Sequence, residues 1–304
     1  MQSIGFVVSA TMPHWNTLAI IGPGLIGGSI GLALHKRGLA SHIVGVGRRK
    51  ESLAKALDLG VVTSISTSIA EAVKDADVVV ACTPVNQIAG HMLQAAAAAP
   101  DCALLTDAGS TKASIVAKVE ASLPKGKRFV GSHPLAGREK NGVDFARADL
   151  FEGRVVVVTP TVKTDPADAQ AVSEFWQSLG ATVISMSPDA HDRALATTSH
   201  LPHLVASATA QITPVADLQL TAGGWRDLTR IASGEPDLWS QILLDNRASI
   251  LKSLAGFEKT MAEFRAALEE ADAVKLRQLL MRRFLRPSLR RPLPVFLTPT
   301  VDSV

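Results

Sequence analysis

Three observations in the sequence predict an α/β fold, a doubly wound and mainly parallel sheet followed by an all-helical domain. Short apolar runs alternate with helix-like segments as far as Ser185, a G-x-G-x-x-G turn follows the first run, and strand-like runs stop after Ser187-Pro188-Asp189. Such alternation implies crossover connections, hence parallel pairing with helices on both faces. Strands are expected at Leu18–Ile21, Ile43–Val46, Asp77–Ala81, Ala103–Thr106, Phe129–Gly131, Val155–Thr159 and Thr182–Ser185. Helices are expected between them at Gly27–Arg37, Glu51–Leu59, Ile69–Lys74, Asn86–Ala98, Lys112–Ser122 and Pro166–Leu179. Further on, Phe257, Met261, Phe264, Leu268, Ala271 and Leu279 fall at helical spacing, with Glu263, Glu269 and Glu270 between them.

The turn after the first strand carries the first functional signal. Gly22, Gly24 and Gly27, with Leu25 and Ile26 between them, join an apolar strand to a helix. A glycine turn at that place lets the backbone approach a pyrophosphate and aims a helix N-terminus at its charge. This is the pattern of a Rossmann-like dinucleotide-binding domain. The second strand then selects the nucleotide. Twenty residues beyond Gly27, where an acidic residue would hold the ribose hydroxyls of NAD, stands Gly47, followed by Arg48 and Arg49. Glycine leaves room for a 2′-phosphate and the arginines offer charge-assisted hydrogen bonds to it. The expected cofactor is NADP in preference to NAD. Thr83 and Pro84, at the carboxyl end of the Asp77–Ala81 strand, complete the expected cofactor site.

Composition narrows the class. A chain of 304 residues has room for two domains. We read 1–16 as an N-terminal extension, 17–187 as the dinucleotide-binding domain, 188–286 as a helical substrate and dimerisation domain, and 287–304 as a Pro-rich tail. Several helices in so short a chain need a partner to cover their apolar faces, so a homodimer is expected. The net charge of +3 gives no argument for nucleic acid, and no apolar stretch is long enough for a bilayer. The first 16 residues lack a signal-peptide pattern, and neither Cys82 nor Cys102 has metal or redox spacing. Both are expected as buried, reduced thiols of a cytoplasmic protein. The absence of any tyrosine removes the short-chain dehydrogenases, whose chemistry uses a Tyr acid.

Four further constellations bear chemistry. Asp107-Ala108-Gly109-Ser110-Thr111-Lys112 follows a strand and opens a helix, which sets Ser110 at the ligand-facing sheet edge; helix capping is its other reading. Gly131-Ser132-His133-Pro134 follows the next strand and offers His133 as an acid or base near neutral pH. Ser199-His200-Leu201-Pro202-His203 brings two histidines three residues apart, which favours a kinked helix lining a polar pocket over a metal site, since no third ligand accompanies them. In Gly224-Trp225-Arg226-Asp227-Leu228-Thr229-Arg230, the two arginines fall four apart on one helical face, suited to clamping an anionic substrate.

Taken in order, the glycine loop, Asp107–Lys112, Gly131–Gly137, His191-Asp192, Ser199–His203 and Gly224–Trp239 resemble the prephenate/arogenate dehydrogenase family of tyrosine biosynthesis. The resemblance implies hydride transfer from C4 of a cyclohexadienol coupled to loss of CO2 from C1, driven by aromatisation. It implies that His133 is the base toward the C4 hydroxyl and that Ser110 helps to hold that hydroxyl beside the nicotinamide. Arg230 matches the arginine for a substrate carboxylate, and Ser199, His200, His203 and Trp239 match pocket residues. The expected function is that of a prephenate dehydrogenase forming 4-hydroxyphenylpyruvate, with arogenate or dual cyclohexadienyl dehydrogenase as alternatives. A non-catalytic NADP sensor is the reading from another class.

Overall fold

A computed structural model describes residues 13–137 and 141–282. It divides into two compact units, residues 1–247 and 248–304. The first is built on eight strands: β1 (Trp15–Ile21), β2 (Ala40–Val46), β3 (Ser64–Ser66), β4 (Val78–Ala81), β5 (Leu104–Asp107), β6 (Arg128–Pro134), β7 (Val155–Thr159) and β8 (Thr182–Ser185). Their order in the sheet is β3-β2-β1-β4-β5-β6-β7-β8. All neighbours are parallel except β6 and β7, which are antiparallel.

Central strands read as unbroken apolar runs because both faces are covered. Leu18 and Ile20 of β1 face one core with α1 (Leu25–Arg37) and α6 (Pro166–Ser178), through Ile30, Leu34, Phe175 and Trp176. Ala19 and Ile21 face the other with α4 (Val85–Ala98) and α5 (Ala113–Ser122), through Ile88, Met92, Val116 and Val119. Two short helices, α2 (Lys50–Asp58) and α3 (Ile69–Ala72), flank β3.

The first unit continues through α7 (Pro188–Leu195), a π-helical turn at Ala196–His200, α8 (Leu201–Ile212), α9 (Gly223–Thr229), a 3-10 turn at Arg230–Ser233, and α10 (Pro236–Asp245). Three of its helices begin the same way. Asp165, Ser187 and Glu235 cap α6, α7 and α10 with side-chain oxygens, each followed by a proline at the first helical position. The described part of the second unit is the helical run of α11 (Arg247–Glu269) and α12 (Ala273–Met281). Within it Arg282 pairs with Glu263 at 2.5 Å; the expected tail at 287–304 lies outside the described residues.

Four expectations are corrected. β3 is an additional strand, short and two-thirds serine, so apolar periodicity missed it. β1 begins at Trp15, inside the expected N-terminal extension. β6 runs four residues past its pairing with β5, which ends at Val130, because β7 supports Gly131–Pro134 from the other side. His133 is therefore within a strand instead of in the loop after it. Cys102 is exposed, where two buried thiols were expected; the Cys82 residue is partly exposed, but its thiol is buried, and burial, then the Asp107 charge, raises its pKa.

Candidate active site

The cofactor end is built by the β1–α1 turn. Gly22 has φ +89°, and a Cβ there would meet Thr83 Cγ2 at 2.8 Å and the Cys82 carbonyl oxygen at 3.0 Å. A Cβ on Gly27 would lie 2.5 Å from the Gly22 oxygen, so both positions require glycine for close packing. Gly24 has nothing within 4 Å of its missing Cβ and leaves the turn open.

Beside this turn lies a cavity of about 1190 Å3 whose walls include Gly22, Gly24, Arg48, Arg49, Thr83 and Pro84. Leu25, Ile26 and Gly27 are not in its wall: Leu25 is buried in the core and Ile26 packs against it. Their amides, at the start of α1, have no intrahelical acceptor, which is what an anionic pyrophosphate requires. The cradle, the open helix end and the two arginines at the end of β2 fit a dinucleotide phosphate chain. Sequence reasoning missed two basic lining residues. Lys55 pairs with Asp144 at 2.7 Å, and His91 Nδ1 meets Thr83 Oγ1 at 2.9 Å. Burial, then the Arg48 charge, lowers the His91 pKa.

The chemical end is built where β5 stops. Beyond Val130 the next rung of β6 is taken by a side chain, since Asp107 Oδ1 accepts from the Ser132 amide at 3.1 Å. Asp107 Oδ2 accepts from Gly109 N and from the fully buried Lys112 Nζ, which also donates to the Ser132 carbonyl at 2.9 Å. Ser132 Oγ donates to the Asp107 carbonyl at 2.5 Å and accepts from Trp176 Nε1 at 2.8 Å. This network fixes the strand that presents His133. It also holds the short loop that carries Ser110, a partly buried residue, between β5 and α5.

Behind His133 stands a chain of polar groups. His133 Nδ1 lies 2.8 Å from His191 Nε2, and His191 Nδ1 lies 2.7 Å from Asp192 Oδ1. The Asp192 carboxylate accepts from the amides of Lys112 and Ala113 at 2.8 and 2.9 Å. It thus supplies the N-terminal cap of α5 from the far side of the sequence, and the capping alternative weighed for Ser110 is not realised. Burial alone would raise the Asp192 carboxyl, but His191 and the two amides outweigh it and hold it below its ordinary value. Burial, His191, Lys112 and His200 together push the His133 pKa well below that of a free histidine. His133 is therefore neutral near pH 7 and able to accept a proton.

The remaining candidate residues lie on the helical segments, and three of them, His200, His203 and Trp239, are in contact. His203 is stacked on Trp239, with ring planes 6° apart and centroids 3.6 Å apart. His200 meets the same indole edge-on and accepts from Asn246 Nδ2 at 3.1 Å. The buried His203 Nδ1 has no hydrogen-bond partner among the described residues. Ser199 falls in the π-turn and is partly buried, while Arg230 opens the 3-10 turn after α9 and is exposed. Asn246 and Asp192, which tie His200 to the His133 chain, had no distinguishing local signal in the sequence beyond the His191-Asp192 pair.

Comparison with known proteins agrees with this geometry. Residues 30–185 match the family model for the prephenate dehydrogenase nucleotide-binding domain, and residues 187–282 that for the prephenate dehydrogenase dimerization domain. The chain is 36% identical over 268 residues to prephenate dehydrogenase of Bacillus subtilis, covering 86% of this chain and 72% of that one. It is also 36% identical over 277 residues to cyclohexadienyl dehydrogenase of Zymomonas mobilis, covering 86% of this chain and 91% of that one. Among solved structures, prephenate dehydrogenase from Aquifex aeolicus in complex with hydroxyphenyl propionate and NAD+ superposes with a TM-score of 0.82 at 34% identity, covering 92% of this chain and 99% of that one. With an open helix end for a dinucleotide, a buried neutral histidine at the sheet edge and both domain models matched in order, the chain belongs to the prephenate dehydrogenase family.

Proposed function

We propose that this chain is a prephenate dehydrogenase of tyrosine biosynthesis that uses NADP, converting prephenate to 4-hydroxyphenylpyruvate. The observation that carries the reading is the junction of two distant motifs. The segment that follows Ser110, at the start of α5, and the strand bearing His133 are joined through Asp192 and His191, which supports assigning Ser110 and His133 to one site. When bound in the cradle at Gly22–Gly27, the nicotinamide cofactor supplies the hydride acceptor. His133 takes the proton of the C4 hydroxyl as the C4 hydride leaves, and Ser110 orients that hydroxyl. The C1 carboxylate bond then breaks, CO2 departs, and its electron pair completes the aromatic ring. The phenolate oxygen so formed recovers the proton from His133. Arg230 binds a substrate carboxylate, with Ser199, His200, His203 and Trp239 around the ring.

Support for NADP comes from the end of β2, where Arg48 and Arg49 line the cavity and no carboxylate stands at Gly47. The same proposal divides the chain into a nucleotide-binding domain at 17–187 and a helical substrate and dimerisation domain at 188–286, forming a homodimer in the cytoplasm. Supporting it, the two family models meet between residues 185 and 187, and no described helix is long and apolar enough to cross a membrane. A second reading, action on arogenate as well, is favoured by the cyclohexadienyl dehydrogenase name of the Zymomonas relative. The test is the purified protein with NADP or NAD and with prephenate or arogenate, following absorbance of the reduced nicotinamide. Reduction of NADP with prephenate is the expected result. Turnover with arogenate alone, or with NAD in strong preference, would overturn the corresponding part of the proposal.

A further inference from the structure

We infer that His191 and Asp192 fix the proton of His133 on Nδ1, leaving Nε2 as the lone pair that faces the substrate. Asp192 accepts from two amides at the N-terminus of α5, at 2.8 and 2.9 Å, and a carboxylate held in this way stays ionised and only accepts. The nitrogen that faces it at 2.7 Å, His191 Nδ1, must therefore carry a hydrogen. A neutral imidazole has one N–H, so His191 Nε2 is an acceptor. It faces His133 Nδ1 at 2.8 Å, which accordingly donates. That leaves His133 Nε2 unprotonated.

The alternative is an imidazolium at His191, with both nitrogens donating, which would turn His133 the wrong way round. An imidazolium there would make His133 Nδ1 the acceptor and put the His133 proton on Nε2, which could not then take the hydroxyl proton in the proposed reaction. The backbone of the chain is anchored too. Asn246 Nδ2 donates to the Asp192 carbonyl at 2.7 Å, so the α7 corner cannot rotate the pair away without losing that bond. His191 is thus a positioning residue: when His133 gains the hydroxyl proton, His191 Nε2 already receives its Nδ1–H, and the Asp192 charge stands one ring away.

The inference rests on His133 acting as the base of the proposed dehydrogenase, and its first test does not depend on activity. Nitrogen-15 spectra of the intact protein near pH 7, with histidines assigned through His133→Asn and His191→Gln, report which ring nitrogen carries the proton. Both rings are expected as Nδ1–H tautomers. An Nε2–H tautomer at His133, or an imidazolium at His191, would overturn the inference whatever the enzyme's substrate proves to be. The second test is kinetic. His191→Leu removes the acceptor and should lower kcat by roughly 10²-fold, within the range for a misaligned general base, with little change in the KM for cofactor. His191→Gln restores an acceptor oxygen and should recover a large part of that loss. Equal activity of the Leu and Gln variants, or kcat of the Leu variant within twofold of the parent, would refute the positioning role. Failure of the parent to turn over any cyclohexadienol would refute the dehydrogenase reading while leaving the tautomer result standing.

Discussion

Trp239 lies flat on His203, 3.6 Å between ring centroids, and Gly234 is the residue that allows it. A Cβ at Gly234 would come within 2.2 Å of Trp239 Nε1, so the indole keeps its place only while that position is bare. Gly234→Ala must push the ring off His203, at a cost of about 1–3 kcal/mol. Since both rings belong to the proposed substrate pocket, KM for the cyclohexadienol should rise about tenfold or more. Cofactor binding, in a cavity whose wall includes neither His203 nor Trp239, should be unchanged when measured by fluorescence titration. An unchanged KM would remove the stack from substrate binding.

Arg48 separates the two cofactors. It lines the cavity at the end of β2, and a charge-assisted hydrogen bond to a 2′-phosphate is worth about 1.5–3 kcal/mol, or roughly 10- to 100-fold in affinity. Arg48→Ala should lose that factor in kcat/KM with NADP and keep its value with NAD. Equal losses with both cofactors would mean that Arg48 serves the cavity in general and not the phosphate.

His133 and Arg230 should fail in different parameters. His133→Ala removes the base and is expected to lower kcat by roughly 10²- to 10⁴-fold. Arg230→Ala removes a clamp that holds ground and transition states alike, so its effect should fall chiefly on KM. Steady-state kinetics of the two variants decides between these roles, and a near-normal kcat for His133→Ala would take that residue out of the mechanism.

The Asp107–Lys112 pair governs stability. Both side chains are fully buried, and Asp107 also completes the sheet rung at Ser132. Asp107→Asn leaves a buried ammonium without its counter-charge and should destabilise the protein by about 3–5 kcal/mol. Urea unfolding at neutral pH measures it. A loss below 1 kcal/mol would indicate that Lys112 sheds its proton or finds another partner.

Acid should weaken the fold through buried histidines. Burial lowers the His200 pKa from 6.5 to about 4. Above pH 6.5 the folded and unfolded forms are both neutral at this residue and it contributes nothing. Between pH 6.5 and about 4 only the unfolded form gains the proton, so stability falls by about 1.4 kcal/mol per pH unit, some 3 kcal/mol in all. His133 acts in the same direction, and the Asp192 carboxyl, held low, adds a further loss at still lower pH as it becomes protonated. Urea midpoints at pH 7, 6 and 5 should decline steadily, and His200→Asn should flatten the slope.

The sequence by itself determined the alternation of strands and helices, the glycine turn and the arginines after β2. Each is set by residues adjacent in the chain: apolar runs buried on both faces, a turn that tolerates no Cβ at Gly22 or Gly27, and a missing carboxylate at a fixed distance. It also led to the expectation that Ser110 and His133 stand at the edge where ligands collect. What it left open depended on contacts between distant segments. β3 is too short and polar to declare itself, and its pairing with β2 creates it. The extension of β6 through His133 exists because β7 runs antiparallel beside it. The cap of α5 comes from Asp192, about 80 positions along, and the same carboxylate orients His191 against His133. A histidine's place can be read from its neighbours in sequence. Which of its nitrogens holds the proton is decided by hydrogen bonds that only the folded chain can make.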